Sequence, residues 1–296
     1  VAILLLNQIS VKSRKSYTTV TGKSGQISKF NLGRSGKYII AIILIIITFF
    51  TSIFPIVSFA FETFLPNPGD YSFLYTGDPD NLTTKWWVTN ENITENGMYG
   101  QQGILYNDMI WHAYKGTIMV SVCCALTAGT IGTLIGYAVS KNRRSRWANY
   151  VNSVAFLPYL MPSIAVGVAF FILFSNKYVN LFNTYALLII VGTVKYIPFA
   201  SRSSLNSMLQ LSGEIEEAAI IQDIPWTKRM TRIIIPIQKT SIISGYLLPF
   251  MTCLRELSLF ILLCVQGFIL STTLDYFDEM GLYAFSSGIN LILIVT

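Results

Sequence analysis

Side chains that could do chemistry are few in this sequence, and most of them stand alone. His112 is the single histidine, and Cys123, Cys124, Cys253 and Cys264 all fall within apolar runs with no Cys-x-x-Cys pair. A zinc site or disulfide framework needs ligands at repeated short spacing, so no metal centre is expected, and His112 reads as an interfacial residue. Gly22-Lys23-Ser24 has the ending of a phosphate loop, but Tyr17 stands where the first glycine is required. No cluster of histidine, cysteine or carboxylate recurs at one membrane depth, so neither an enzyme nor a cofactor is expected. Two groups of charges remain. Lys195, Arg255 and Glu256 interrupt apolar runs, where an ionised group is costly and marks function by default. They read as a site near a translocation pathway, in which Lys195 or Arg255 pairs with Glu256, or as a static ion pair that fixes helix register. The second group is the polar run Glu214 to Lys239, EIEEAAIIQDIPWTKRMTRIIIPIQK.

The elements around these charges are membrane spans. The 296 residues are 52% hydrophobic and only 12% charged, against about 25% charged in a soluble domain. Apolar runs of about 20 residues, enough to cross a hydrocarbon core, recur along the chain. An all-α polytopic membrane protein with six spans is expected, at about 38–59, 113–140, 151–174, 184–204, 241–265 and 282–296. Residues 1–37 read as the end of a preceding helix plus a basic linker, and 38–296 as the six-span domain. Both ends look like cut edges of a longer chain. Pro55 is expected to kink the first span, and Pro158 and Pro162 fall inside the third. Ala125, Gly129, Gly132 and Gly136 put small residues along one stripe of the second, which permits close helix approach.

The net charge of +6 sits in connectors and does not point to nucleic acid. Basic connectors (10–37, 141–146, 202–239) alternate with acidic ones (64–108, 266–281), and the positive-inside rule makes the basic side and both termini cytoplasmic. In the acidic loop, Trp86-Trp87 suit a membrane interface or a docking face.

The polar run therefore lies in a cytoplasmic loop, 205–240. Acidic Glu214, Glu216 and Glu217 suit a helix N-terminus. Ala218 to Ile221 give that helix a small apolar surface, Asp223 and Pro225 stop it, and a short basic helix follows to Pro236. Glu217-Ala218-Ala219, three residues, Asp223, nine residues, Ile233, one residue and Ile235-Pro236 resemble the Glu-Ala-Ala loop of permease subunits of bacterial binding-protein-dependent ABC importers. Asp223 stands where that family has Gly and Ile235 where it has Leu. Gly adopts a left-handed turn freely, and Asp tolerates it better than most residues.

The resemblance implies a permease subunit in the bacterial inner membrane, with a coupling helix inserted into a cleft of a separate ATP-binding subunit. It implies as partners a dimer of those subunits, a second permease half and an extracytoplasmic solute-binding protein, for which the loop 64–108 is the candidate contact. The residues so implied to couple are Glu217, Ala218, Ala219, Asp223, Ile233, Ile235 and Pro236. Leu254-Arg255-Glu256-Leu257-Ser258 and Thr19-Val20-Thr21-Gly22-Lys23 look like ferric-iron-type permeases, in which two six-span halves are fused. Ferric iron is then the expected cargo, with thiamine, polyamine or sulfate as alternatives. A secondary transporter or channel would need repeated halves or paired broken helices.

Overall fold

The computed structural model describes residues 33–67, 69–72, 82–93, 100–176, 179–211 and 213–296. The basic linker up to residue 32, with Gly22-Lys23-Ser24, lies outside the described residues, as do 73–81 and 94–99 of the acidic loop. Among the described residues every regular element is a helix, apart from two isolated bridges, Ile93 with Gln101 and Ser175 with Asn180. Residues 119–264 form one compact unit, and 33–118 with 265–296 another.

In the second unit, α1 (Gly33–Thr48) runs through a π-turn at Phe49–Ile53 into α2 (Phe54–Glu62). Pro55 in the first turn of α2 has no N–H to give the preceding turn, and the widened π-turn absorbs the loss. A short α3 (Lys85–Val88) carries Trp86, which is buried. Its indole N–H donates to the Leu65 carbonyl at 2.7 Å, and its ring meets Phe285 edge-on at 5.8 Å. Phe277 stacks on Phe285 at 5.2 Å. These rings lie between α12 (Leu270–Glu279) and α13 (Tyr283–Val295). The N-terminal part of α4 (Asp108–Lys141) is tied in by Thr117, whose hydroxyl accepts from Leu270 N–H at 2.7 Å, and by His112, whose ring shares a hydrogen bond with the Gly267 carbonyl at 2.9 Å.

The first unit packs the C-terminal part of α4 against α7 (Tyr185–Met208). The small-residue stripe explains how. A Cβ on Gly132 would stand 2.5 Å from the Ala200 Cβ, and one on Gly136 2.7 Å from the Leu205 nitrogen. Only hydrogen fits at these two positions, so the helices approach to backbone contact. Ser204 then donates to the Thr133 carbonyl at 3.1 Å.

Two of the expected spans are not single helices. The third is α5 (Arg146–Leu160) and α6 (Ser163–Phe174), bent by 102°. Met161 precedes Pro162 and is forced into an extended conformation, which ends α5. The fifth ends early: α11 (Lys239–Leu254) stops at Arg255, and residues 255–264 run through irregular backbone and turns. Irregular backbone at membrane depth needs cover by protein, and Leu254, Leu259, Phe260 and Leu263 are all buried. Among the described residues three helices are long and apolar enough to cross a membrane, or up to five when α5 with α6, and Trp226–Ile237 with α11 (bent by 85°), each count as one span. The sixth expected span, α13, has 13 residues and reaches about 20 Å against a hydrocarbon core of about 30 Å.

Candidate functional site

The polar run folds as two helices around a sharp turn. α8 (Gly213–Ile221) is followed by α9 (Trp226–Arg229), a π-turn at Met230–Ile234 and a single turn α10 (Ile235–Ile237). α8 ends in a Schellman pair: Ile224 N–H bonds the Ala219 carbonyl at 3.1 Å, and Asp223 N–H bonds the Ile220 carbonyl at 2.9 Å. The pair requires a left-handed residue, and Asp223 supplies it at φ +54. The aspartate at the usual glycine position thus keeps the glycine conformation. Arg229 Nη1 donates to the Ile224 carbonyl at 3.2 Å and braces the turn.

The turn divides the expected coupling residues between two faces. Glu217 and Ala218 are exposed, with Glu214 and Ile215 beside them. Ile221 is 84% exposed and Trp226 44%. Ala219 is buried, Ile233 and Ile235 are half-buried, and Pro236 is exposed where α10 leads toward α11. Met208, Met230 and Ile234 form a small core beneath, with Tyr137 and Ile235 packed against it. Gln238 Nε2 donates to the Ser207 carbonyl at 2.9 Å.

Glu216 was not among the residues expected to matter, and it is buried. Its carboxylate accepts from the Tyr137 hydroxyl at 2.5 Å and pairs with the Lys141 ammonium. Burial pushes this carboxyl up, but the hydrogen bonds from Lys141 and Tyr137 outweigh it and hold the pKa below the ordinary glutamate value. A sequence signal existed: Tyr137 and Lys141 are four apart, on one face of α4 at its C-terminal end. Nothing in the sequence paired them with Glu216.

The three charges expected within the spans take different positions. The Lys195 side chain is buried, and its ammonium donates to the Pro158 carbonyl at 3.0 Å and the Met161 carbonyl at 2.6 Å. These carbonyls are left open where α5 stops. Glu256 accepts from the Tyr196 hydroxyl at 3.0 Å and, through its other oxygen, from Leu259 N–H at 3.1 Å. Arg255 is exposed. Lys195 and Tyr196, consecutive on α7, therefore reach the two backbone breaks, Lys195 through the Pro158 and Met161 carbonyls and Tyr196 through Glu256.

The helical bundle and its charged hairpin fall within one known family of membrane proteins. The model of the binding-protein-dependent transport system inner membrane component matches residues 128–296, more than half of the chain. The chain belongs to this family of ABC importer permeases. It is similar to a Haemophilus influenzae protein provisionally named as a ferric transport system permease protein, 24% identical over 88% of this chain and 38% of that protein. It is also similar to the ferric transport system permease protein of Actinobacillus pleuropneumoniae, 22% identical over 84% of this chain and 33% of that protein. The chain thus spans 33% to 38% of the length of these relatives. A crystal structure of a bacterial ABC transporter involved in the import of the acidic polysaccharide alginate has the same fold, with a TM-score of 0.64 at 16% identity, covering 92% of this chain and 95% of that one.

Proposed function

We propose that this chain is one half of an importer's translocation pathway, driven by ATP hydrolysis in a separate subunit that grips the α8–α9 hairpin. The observation that carries the reading is the outward face of that hairpin. Ile215, Ile221 and Trp226 expose apolar surface beside Glu214 and Glu217, and Ala218 leaves the face slim. An apolar patch rimmed by charge, on an element outside the spans, suits a protein partner. The partner is an ATP-binding subunit, working as a dimer. The basic connectors support a cytoplasmic position for the hairpin. A second permease half and an extracytoplasmic binding protein complete the assembly, the latter against the loop 64–108.

The proposed cargo is ferric iron, supported by the two ferric relatives at low identity. Relatives 22% and 26% identical are named for molybdate/tungstate in Pyrococcus abyssi and putrescine in Escherichia coli, and they favour another small solute as the second reading. Lys195, Arg255 and Glu256 are the proposed charges near the pathway. In proteoliposomes holding the assembly with its binding protein, labelled ferric iron should enter with ATP and stop entering in Glu217→Lys or Ala218→Arg. ATP hydrolysis that responds to the binding protein without iron uptake would remove iron and keep the importer. Undiminished uptake in both variants would remove the coupling role.

A further inference from the structure

We propose that Glu216 is the positioning residue that fastens α8 to the C-terminal end of α4, so that displacement of the hairpin reaches that span without slack. The inference rests on the coupling reading above and adds the attachment through which coupling acts.

α8 has two buried residues, Glu216 and Ala219. Ala219 is small and offers little area for packing. The firm hold on the helix is polar: one carboxylate gripped by a hydroxyl and an ammonium from the same helix, one turn apart. Both bonds are charge-assisted, the stronger and shorter class. An apolar contact can slide as a helix shifts, because its attraction is non-directional. A buried carboxylate cannot leave its partners, because an unpaired charge in that place is strongly disfavoured. Trp226, from the far side of the turn, lies 6.3 Å from the Tyr137 ring, so both arms of the hairpin reach the same spot on α4. Glu216 faces inward and Glu217 outward, so neighbouring carboxylates divide the work. One holds the span, and the other meets the partner.

The test uses the chain with its second half, ATP-binding subunits and binding protein in proteoliposomes. It reads the ratio of binding-protein-stimulated to basal ATP hydrolysis. Glu216→Ala and Lys141→Met should keep the ATP-binding subunits bound and the basal rate intact while the ratio falls about tenfold, within the range of a single allosteric coupling. Tyr137→Phe, which keeps the ion pair, should lower it partially. The charge exchange Lys141→Glu with Glu216→Lys should recover much of it. An unchanged ratio in Glu216→Ala overturns the proposal. So does a fall of basal and stimulated rates together, which marks a purely structural role. If Glu216→Ala does not assemble, a normal ratio in Tyr137→Phe together with no recovery on exchange overturns it as well. Glu217→Lys separates the two readings: normal assembly and ratio there remove the coupling role of the hairpin itself.

Discussion

Lys195 donates a 2.6 Å hydrogen bond to the Met161 carbonyl, 34 residues away in sequence, at the break between α5 and α6. The next residue, Tyr196, binds Glu256 at the other break, where α11 ends. Two adjacent positions on the unbroken α7 therefore anchor both interruptions of the bundle. The breaks also touch: a Cβ on Gly167 of α6 would stand 2.7 Å from the Leu259 carbonyl. Permeation needs elements that can shift within a packed bundle, and a helix break is where backbone angles can change. A fixed helix carrying both anchors gives those shifts a common reference.

Replacing Lys195 by Met keeps the side-chain length and removes the donor. The Pro158 and Met161 carbonyls then lose their charged partner, at a cost of about 2–3 kcal/mol. Thermal unfolding in detergent should show a lower midpoint for Lys195→Met than for Lys195→Arg, which retains donors. Equal midpoints for Lys195→Met and the unmodified chain would mean that the two carbonyls find water instead.

The α4–α7 contact makes a sharper steric prediction. Gly132→Leu must place carbon where Ala200 Cβ and the Ser201 nitrogen already lie. Backbone cannot yield as a side-chain tip can, so destabilisation should reach at least the ~1–3 kcal/mol of an overpacked core. The exposed Ile131→Leu on the same helix should be near neutral. Folded yield by size-exclusion chromatography separates the two, and equal yields would refute close packing at Gly132.

Much of this was readable from residues. The Gly129–Gly136 stripe announces a tight helix pair because spacing alone puts small residues on one face. The hairpin follows from Asp223, Pro225 and Pro236, local signals that act through backbone sterics. The two breaks were not readable as such, although Pro162 and Arg255-Glu256 mark them. Hydropathy averages over a window and runs straight through a bend whose freed backbone groups are satisfied by distant side chains, here Lys195 and Glu256. Glu216 was hidden for a related reason. Three glutamates in four residues look alike in sequence, and only the packing of α8 decides which one turns inward.

The clamped carboxylate should give stability a definite pH dependence. The folded-state pKa of Glu216 lies below its ordinary value, so the unfolded state binds more protons through this range. Its contribution is fully present above the unfolded value of about 4.3 and is lost as pH falls through the lowered folded value. Melting curves from pH 7 to pH 3 should therefore drop more steeply for the unmodified chain than for Glu216→Gln, with the two curves converging at the acid end. Parallel curves throughout would show that the carboxylate is not held as described.

Asp223 offers the cleanest check of the hairpin, because its demand is purely conformational. A left-handed residue other than glycine carries about 1–2 kcal/mol of strain, less for Asp and more for a β-branched side chain. Asp223→Gly removes the strain but frees the unfolded chain, an opposing term of about 0.4–1 kcal/mol, so the two nearly cancel. Asp223→Val keeps the chain stiff and adds a branched Cβ where the Schellman pair needs φ +54. Stability should follow Gly ≈ Asp > Val, and binding of the ATP-binding subunits should follow the same order, since the turn sets the angle between the exposed Ile221 and Trp226. If Val binds as tightly as Gly, the turn does not control the outward face, and α8 alone must carry the contact.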